Sequence, residues 1–192
     1  GLDEVGRGPL AGPVISCGCY FKSYTTQENF YNLIGDSKKL SEKKRKVSFK
    51  FLQNLKKENI IDYHLGMANV EEIDKFNILE ATKLSMKRVV DKFNLQSAQL
   101  IIDGNFSLNY KSYKEQSVIK GDDKSLSIAA ASIIAKVHRD RLMKKLSIRH
   151  QQFGWEKNAG YGTKEHIENI HRLGPTIHHR KTFEPIKSLI HN

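Results

Sequence analysis

A mixed α/β sandwich is the fold this sequence predicts, on three observations. Apolar runs of strand length recur along the chain, and helical spacing of apolar residues fills the gaps between the later ones. Strands precede the helix–strand alternation, so an early hairpin has to join the first of them and the sheet is mixed. Hydrophobic residues at 39% of 192 are enough for one core.

The elements follow in order. Pro13 to Phe21, with Val14, Ile15, Tyr20 and Phe21, reads as a strand, and so do Ile60 to Met67 and Gln99 to Asp103. Ser117 to Lys120 is a shorter candidate. Ser41 caps a helix whose apolar positions Val47, Phe51, Leu52 and Leu55 repeat at helical spacing. Asn77 with Glu80 three residues later has the form of a capping box, ahead of an apolar stripe from Ile78 to Phe93. Ser125 to Ser147 reads as a third helix, whose Ala129, Ala130 and Ala131 allow close approach to the sheet. From about Gln151 onward the chain reads as short helices and turns.

Charge narrows the partner. The chain carries 32 Lys and Arg against 21 Asp and Glu, a formal charge of +11, which calls for a polyanion such as nucleic acid. The densest run, DSKKLSEKKRK from Asp36 to Lys46, suits either a solvated helix face or phosphate contact. No apolar run approaches the ~20 residues of a spanning helix and nothing resembles a signal peptide, so a soluble, cytoplasmic monomer with no membrane partner is expected. Cys17 and Cys19 read as small buried apolar residues, and the eight histidines lack zinc-ligand spacing.

The opening GLDEVGRGPLAGPV sets two acids, Asp3 and Glu4, against a glycine turn formed by Gly6, Arg7, Gly8 and Gly12. Backbone N–H groups in such a turn attract anions, which adjacent carboxylates would repel. GRGPLA satisfies the loose dinucleotide fingerprint, but Pro9 and the strand behind it exclude the required helix, and there is no G-K-[ST] for a P-loop. Further acids resolve the conflict: Asp103 ends a strand in LIIDGN, and Asp122 and Asp123 follow the next candidate strand in IKGDDKS. Carboxylates converging at strand ends repel each other unless divalent, oxygen-preferring cations join them. A carboxylate cluster in a basic protein therefore argues for Mg²⁺ or Mn²⁺ acting on a phosphodiester through a two-metal site. Successive strand residues face opposite ways, so Glu4 joins Asp3 at one site only where the strand is turning.

DEVGRGPLAGPV, DSKKLSEKKR, IDKFNILEAT, IIDGN, IKGDDKSLSIAAASIIAKVHRDR, GYGTKEH and HHRKTFEPI resemble, in order and over essentially the whole chain, the successive motifs of ribonuclease HII in its bacterial form. The resemblance implies a ribonuclease H-like mixed sheet flanked by helices over residues 1–147, with a small helical extension over 148–192 packed on it. It implies a metal-dependent endonuclease that cuts the RNA strand of RNA–DNA hybrids and nicks duplex DNA 5′ of embedded ribonucleotides, leaving 3′-hydroxyl and 5′-phosphate ends, in ribonucleotide excision repair and DNA replication. By that resemblance Asp3, Glu4, Asp103 and Asp122 are the catalytic, metal-binding acids. Gly6, Arg7 and Gly8 look like the ribonucleotide-reading turn, and Tyr161 resembles the tyrosine that stacks against the sugar beyond the junction. Lys38, Lys136 and Arg139 are candidate phosphate clamps, each equally readable as surface charge. Contact with a sliding clamp is left open by these motifs.

Asp140 stands 14 residues beyond Leu126 on the third helix, roughly 21 Å at 1.5 Å per residue, too far for one cluster to include both helix ends. It reads as an ion-pair partner on the helix surface, and Asp123 as an aid to the helix cap. A non-catalytic hybrid-binding protein and another two-metal nuclease of the same fold are the rival readings; retention of all four acids argues against the first, and the GRG turn with Tyr161 against the second.

Overall fold

The computed structural model of the protein describes residues 1–23, 33–34, 40–93, 95 and 97–191. Five strands, β1 (Leu2–Val5), β2 (Val14–Phe21), β3 (Ile61–Ala68), β4 (Gln99–Asp103) and β5 (Lys114–Val118), form one sheet in the order β3-β2-β1-β4-β5. β1, β2 and β3 pair antiparallel, whereas β1, β4 and β5 pair parallel. The sheet is therefore mixed, as the early hairpin requires. Because β1, β4 and β5 run in one direction, their C-terminal ends share one edge, and that edge carries the acids.

Six helices are described: α1 (Glu42–Lys57), α2 (Val70–Val90), α3 (Leu126–Ser147), α4 (Trp155–Asn158), α5 (Lys164–Leu173) and α6 (Ile186–His191). None among the described residues is long and apolar enough to cross a membrane. Strand alternation sorts the two faces. Cys17 and Cys19 join Phe49, Leu52 and Ile61 under α1 and α3, where Ala129, Ala130 and Ala131 are buried as their size predicts. Both thiols are free, and burial pushes Cys19 up to about 12. Leu2 and Ile102 face the other way, onto Met86, Val89 and Val90 of α2. A third cluster ties Leu10, Ala11 and Met143 to Phe153, Trp155, Ile170 and Ile186, so the C-terminal helices pack directly on the glycine turn.

Two elements depart from the sequence pattern. β5 begins at Lys114 rather than Ser117. It is an edge strand with mostly exposed polar side chains, so backbone pairing to β4 forms it and no apolar alternation announces it. α2 begins at Val70, because Asn69 accepts from the Glu72 amide while the Glu72 carboxylate accepts from the Asn69 amide, a complete capping box eight residues upstream of the expected Asn77. Asn77 still caps: at φ 66° it kinks the helix and accepts from the amides of Leu79 (2.9 Å) and Glu80 (3.1 Å). The Glu80 carboxylate pairs with Lys83. Ser41 caps α1 as expected, accepting from the Lys44 amide at 3.3 Å.

α2 lies so close to the sheet that side chains beneath it must be absent or small. Ser16 and Ser85 share a hydroxyl hydrogen bond at 2.5 Å, and a Cβ on Gly66 would stand 2.1 Å from the Ser85 carbonyl oxygen. Alanine in a strand is ordinarily better than glycine, so the sign is informative here. Gly66→Ala is expected to destabilise by on the order of 1–3 kcal/mol; a urea midpoint equal to or above that of the parent would show that α2 can move away without cost.

Candidate active site

Asp3 leaves β1 on the α3 face, as its register partner Cys17 does. It is 2% exposed. Its Oδ1 accepts from the Glu4 amide at 2.7 Å, and its Oδ2 is buried with no hydrogen-bond partner. Burial pushes its carboxyl well above the usual carboxylate range, and the negative charges of Glu4 and then Asp103 push the same way, against the Ser132 hydroxyl and the Glu4 amide. Glu4 pairs in register with Ser16 on the α2 face, and β1 ends at the next residue. Its carboxylate lies 3.4 Å from the Arg7 guanidinium. Asp103 terminates β4 and its Oδ1 accepts from the Gly121 amide at 2.7 Å. That bond pins the 3₁₀ turn Gly121–Asp123, in which Asp122 is buried and Asp123 exposed. The fold thus brings Asp3, Glu4, Asp103 and Asp122 to one sheet edge. Among the described residues no group of three or more His, Cys, Asp or Glu side chains stands in the geometry of a metal site.

The glycine turn follows β1 directly. Gly6 has φ 97°, and a Cβ there would lie 2.2 Å from Arg139 Nε, so only glycine fits. Beneath the turn are two buried arginines. Arg139 donates to the carbonyls of Pro13 (3.0 Å), Ala11 (3.0 Å) and Ala159 (2.8 Å). Arg180 donates to Gly12 (3.0 and 2.8 Å), Arg7 (2.9 Å) and Gly6 (2.5 Å). Burial pulls Arg139 down to about 10 and, with the charge of Arg139 added, Arg180 to about 9, so both stay charged at neutral pH.

This geometry aims the turn. In a planar trans peptide the C=O and the following N–H point in opposite directions. Arg180 draws the Gly6 and Arg7 carbonyls inward, so the N–H groups of Arg7 and Gly8 face outward, and neither has an acceptor among the described residues. Tyr161 closes one side. Its ring is 47% exposed, and a Cβ on Gly8 would stand 3.4 Å from its edge.

The other expected site residues separate. Arg139 is 0% exposed and each of its three nitrogens donates to a carbonyl, so it holds the turn and does not clamp a phosphate. Lys136 stays at the surface with its ammonium 2.6 Å from Asp140. Asp140 also lies 4.0 Å from Arg45, the surface ion pairing its position suggests. Lys38 and the start of the basic run, residues 36–39, fall outside the described residues. Arg180 and the histidines beside it were missed as site residues, although they lie in the HHRKTFEPI block. The only local signal was their concentration, with the single tryptophan, in the last 45 or so residues.

Comparison with known proteins gives the family and the fold. The family model described as Ribonuclease HII matches residues 1–185. A ribonuclease HII of Wolbachia pipientis subsp. Culex pipiens (strain wPip) is 50% identical over 189 residues, covering 98% of this chain and 91% of the relative. That of Macrococcus caseolyticus (strain JCSC5402) is 49% identical over 190 residues, covering 99% and 68%. Among solved structures, the ribonuclease H2 from Pyrococcus horikoshii OT3 superposes with a TM-score of 0.75 at 26% identity, covering 98% of this chain and 95% of that one. A chain of the PCNA:RNase HII complex from Archaeoglobus fulgidus does so at 0.77 and 23% identity, covering 96% and 94%. Bst-RNase HIII, solved in complex with Mn²⁺, shares the fold at 0.66 and 19% identity, covering 99% and 68%. The fold is ribonuclease H-like, and the chain belongs to the ribonuclease HII family of RNase H endoribonucleases.

Proposed function

We propose that this enzyme hydrolyses the RNA strand of RNA–DNA hybrids and nicks duplex DNA on the 5′ side of embedded ribonucleotides, leaving 3′-hydroxyl and 5′-phosphate ends, with two Mg²⁺ or Mn²⁺ ions. The observation that carries the reading is an adjacency. A buried carboxylate oxygen with no donor, Asp3 Oδ2, lies three residues before a turn that presents two outward N–H groups. Leaving an anionic oxygen buried and unpartnered costs several kcal/mol, and hard divalent cations are the partners that clustered carboxylates suit.

Asp3, Glu4, Asp103 and Asp122 would hold the ions, whose contribution when bound is Lewis acidity toward the attacked phosphate and the leaving oxygen. The chain's own groups do the rest. The Arg7 and Gly8 amides offer donors to the ribose 2′-hydroxyl or its phosphate, the feature that separates RNA from DNA. The Tyr161 ring beside Gly8 supplies a stacking face for the neighbouring sugar. Arg7, tethered to Glu4, links the turn to the acids. Lys136, and Lys38 of the basic run, add to the +11 charge that draws the backbone in.

The direct test is a DNA duplex holding one ribonucleotide, incubated with Mg²⁺, Mn²⁺ or EDTA. Cutting is expected only with metal, only 5′ of the ribonucleotide, and not in the all-DNA duplex. Equal cutting of both duplexes contradicts ribose recognition.

The acids make a second test. Ionised Asp3 is disfavoured in the fold, so its folded pKa exceeds its unfolded value of about 3.9. Between those values the native state binds the extra proton, and stability falls as pH rises through the window. Asp3→Asn is therefore expected to raise the Tm at neutral pH in EDTA while abolishing cleavage. Asp122→Asn should also abolish cleavage, and Asp140→Asn should retain it. An Asp3→Asn variant that melts lower in EDTA, or a dead Asp140→Asn with an active Asp122→Asn, contradicts the assignment.

A further inference from the structure

Two motifs carry histidines that the chemistry above leaves unused: GYGTKEH ends in His166, and HHRKTFEPI contains His179. Both are 0% exposed and they meet, Nε2 to Nε2, at 3.1 Å. Their partners assign the protons. The Thr176 amide donates to His179 Nδ1 at 2.9 Å, so that nitrogen is bare and the hydrogen is on Nε2. His179 Nε2–H then donates to His166 Nε2, which also accepts from Trp155 Nε1–H at 3.0 Å. The His166 hydrogen is therefore on Nδ1, where it donates to the Tyr161 carbonyl at 2.8 Å. Burial holds His166 below its ordinary value and pulls His179 to about 3, so both rings are neutral near pH 7, as this chain of bonds requires.

His179 and Arg180 are neighbours in sequence, and their side chains lead to two places, the turn and His166. Arg180 holds the Gly6 and Arg7 carbonyls. His179 reaches Tyr161 through His166. The backbone between them is itself anchored to the turn: Ala11 bridges His179, the Gly12 amide donates to the His178 carbonyl at 2.9 Å, and the Arg180 amide donates to the Leu10 carbonyl at 2.9 Å.

We propose that His179 and His166 are positioning residues for ribonucleotide recognition: the relay Thr176–His179–His166 fixes the Tyr161 backbone at a set distance from the turn that Arg180 holds. The inference rests on reading Tyr161 and the turn as the ribose pocket. It makes Tyr161, an exposed ring on a loop, a rigid wall without a contact to its own side chain.

Two substitutions divide the His166 ring. In His166→Asn the amide nitrogen takes the Nδ1 place and can still donate to Tyr161. In His166→Gln the amide oxygen takes the Nε2 place, accepting from Trp155 and His179 while losing Tyr161. Steady-state cleavage of the single-ribonucleotide duplex is measured for both, for Tyr161→Ala, and for the Tyr161→Ala, His166→Gln double variant. The expected result is a KM raised about tenfold in Tyr161→Ala and in both His166 variants, within the range of a lost base or sugar stack, with kcat nearly unchanged, because His166→Gln loses the Tyr161 end of the relay and His166→Asn the His179 end. In the double variant the two losses should not add. If Tyr161→Ala loses affinity while either His166 variant does not, the relay proposal is overturned and the reading of Tyr161 stands. If Tyr161→Ala cuts as the parent does, the reading of Tyr161 falls instead. A measurement on the parent protein needs no variant to fold: ¹⁵N spectra of the rings should show His166 protonated on Nδ1 and His179 on Nε2, and the opposite tautomer at His166 overturns the proposal.

Discussion

The guanidinium of Arg180 on the carbonyls of Gly6 and Arg7 is the interaction on which the site depends. Peptide planarity turns two inward carbonyls into two outward N–H groups, so a residue far along the chain decides what the first turn presents to a ligand. Burying two guanidiniums is expensive, and among the described residues neither has a carboxylate within ion-pair distance. Seven hydrogen bonds to six turn and loop carbonyls provide the compensation. The carbonyls gain equally, because a tight glycine turn leaves them with no ladder partner. Two costly features, buried cations and orphan carbonyls, cancel each other.

Opposite charge sits on the other side of the same turn. The parallel arrangement of β1, β4 and β5 gathers carboxylates at one edge, and Asp3 is ionised there only against burial and against its neighbours. The turn thus stands between a buried positive layer, which fixes its shape, and an acid cluster that under the proposed function would hold cations. That arrangement explains why acids can border an anion-seeking turn: the repulsion that would make the pairing unfavourable is what makes a metal partner favourable. The destabilisation is plain at Asp3, whose carboxyl burial pushes well above the usual carboxylate range.

The parts legible in the sequence were those written in local pattern. β4 has its expected limits, Gln99–Asp103, because a short apolar run ends at an acid and a glycine. Ala129, Ala130 and Ala131 announced a helix pressed to the sheet. β5 was misplaced because an edge strand of Lys114, Glu115 and Gln116 hides in polar composition. The start of α2 was missed because Asn69 and Asn77 both have a glutamate three residues on, and both act as caps. The sharpest failure was Arg139. In the motif KVHRDR it looks like any surface cation, and only the fold, by bringing Pro13, Ala11 and Ala159 around it, turns it into a strut. Arg180 was hidden for the same reason, since its partners Gly6, Arg7 and Gly12 lie more than a hundred residues away, and His179 because no spacing in the sequence shows that it meets His166 in the fold.

The central claim concerns the direction of two amides, and nuclear magnetic resonance reads it without altering a residue. The ¹⁵N–¹H resonances of Arg7 and Gly8 are followed while duplexes are added in Ca²⁺, a condition chosen to permit binding without turnover. A duplex with one ribonucleotide should shift both resonances and slow their exchange with solvent, whereas the all-DNA duplex of the same sequence should leave them near their free positions. If both amides stay unperturbed and fast-exchanging while the ribonucleotide duplex binds at the acid cluster, the turn does not read the ribose and the role given to Arg180 is wrong.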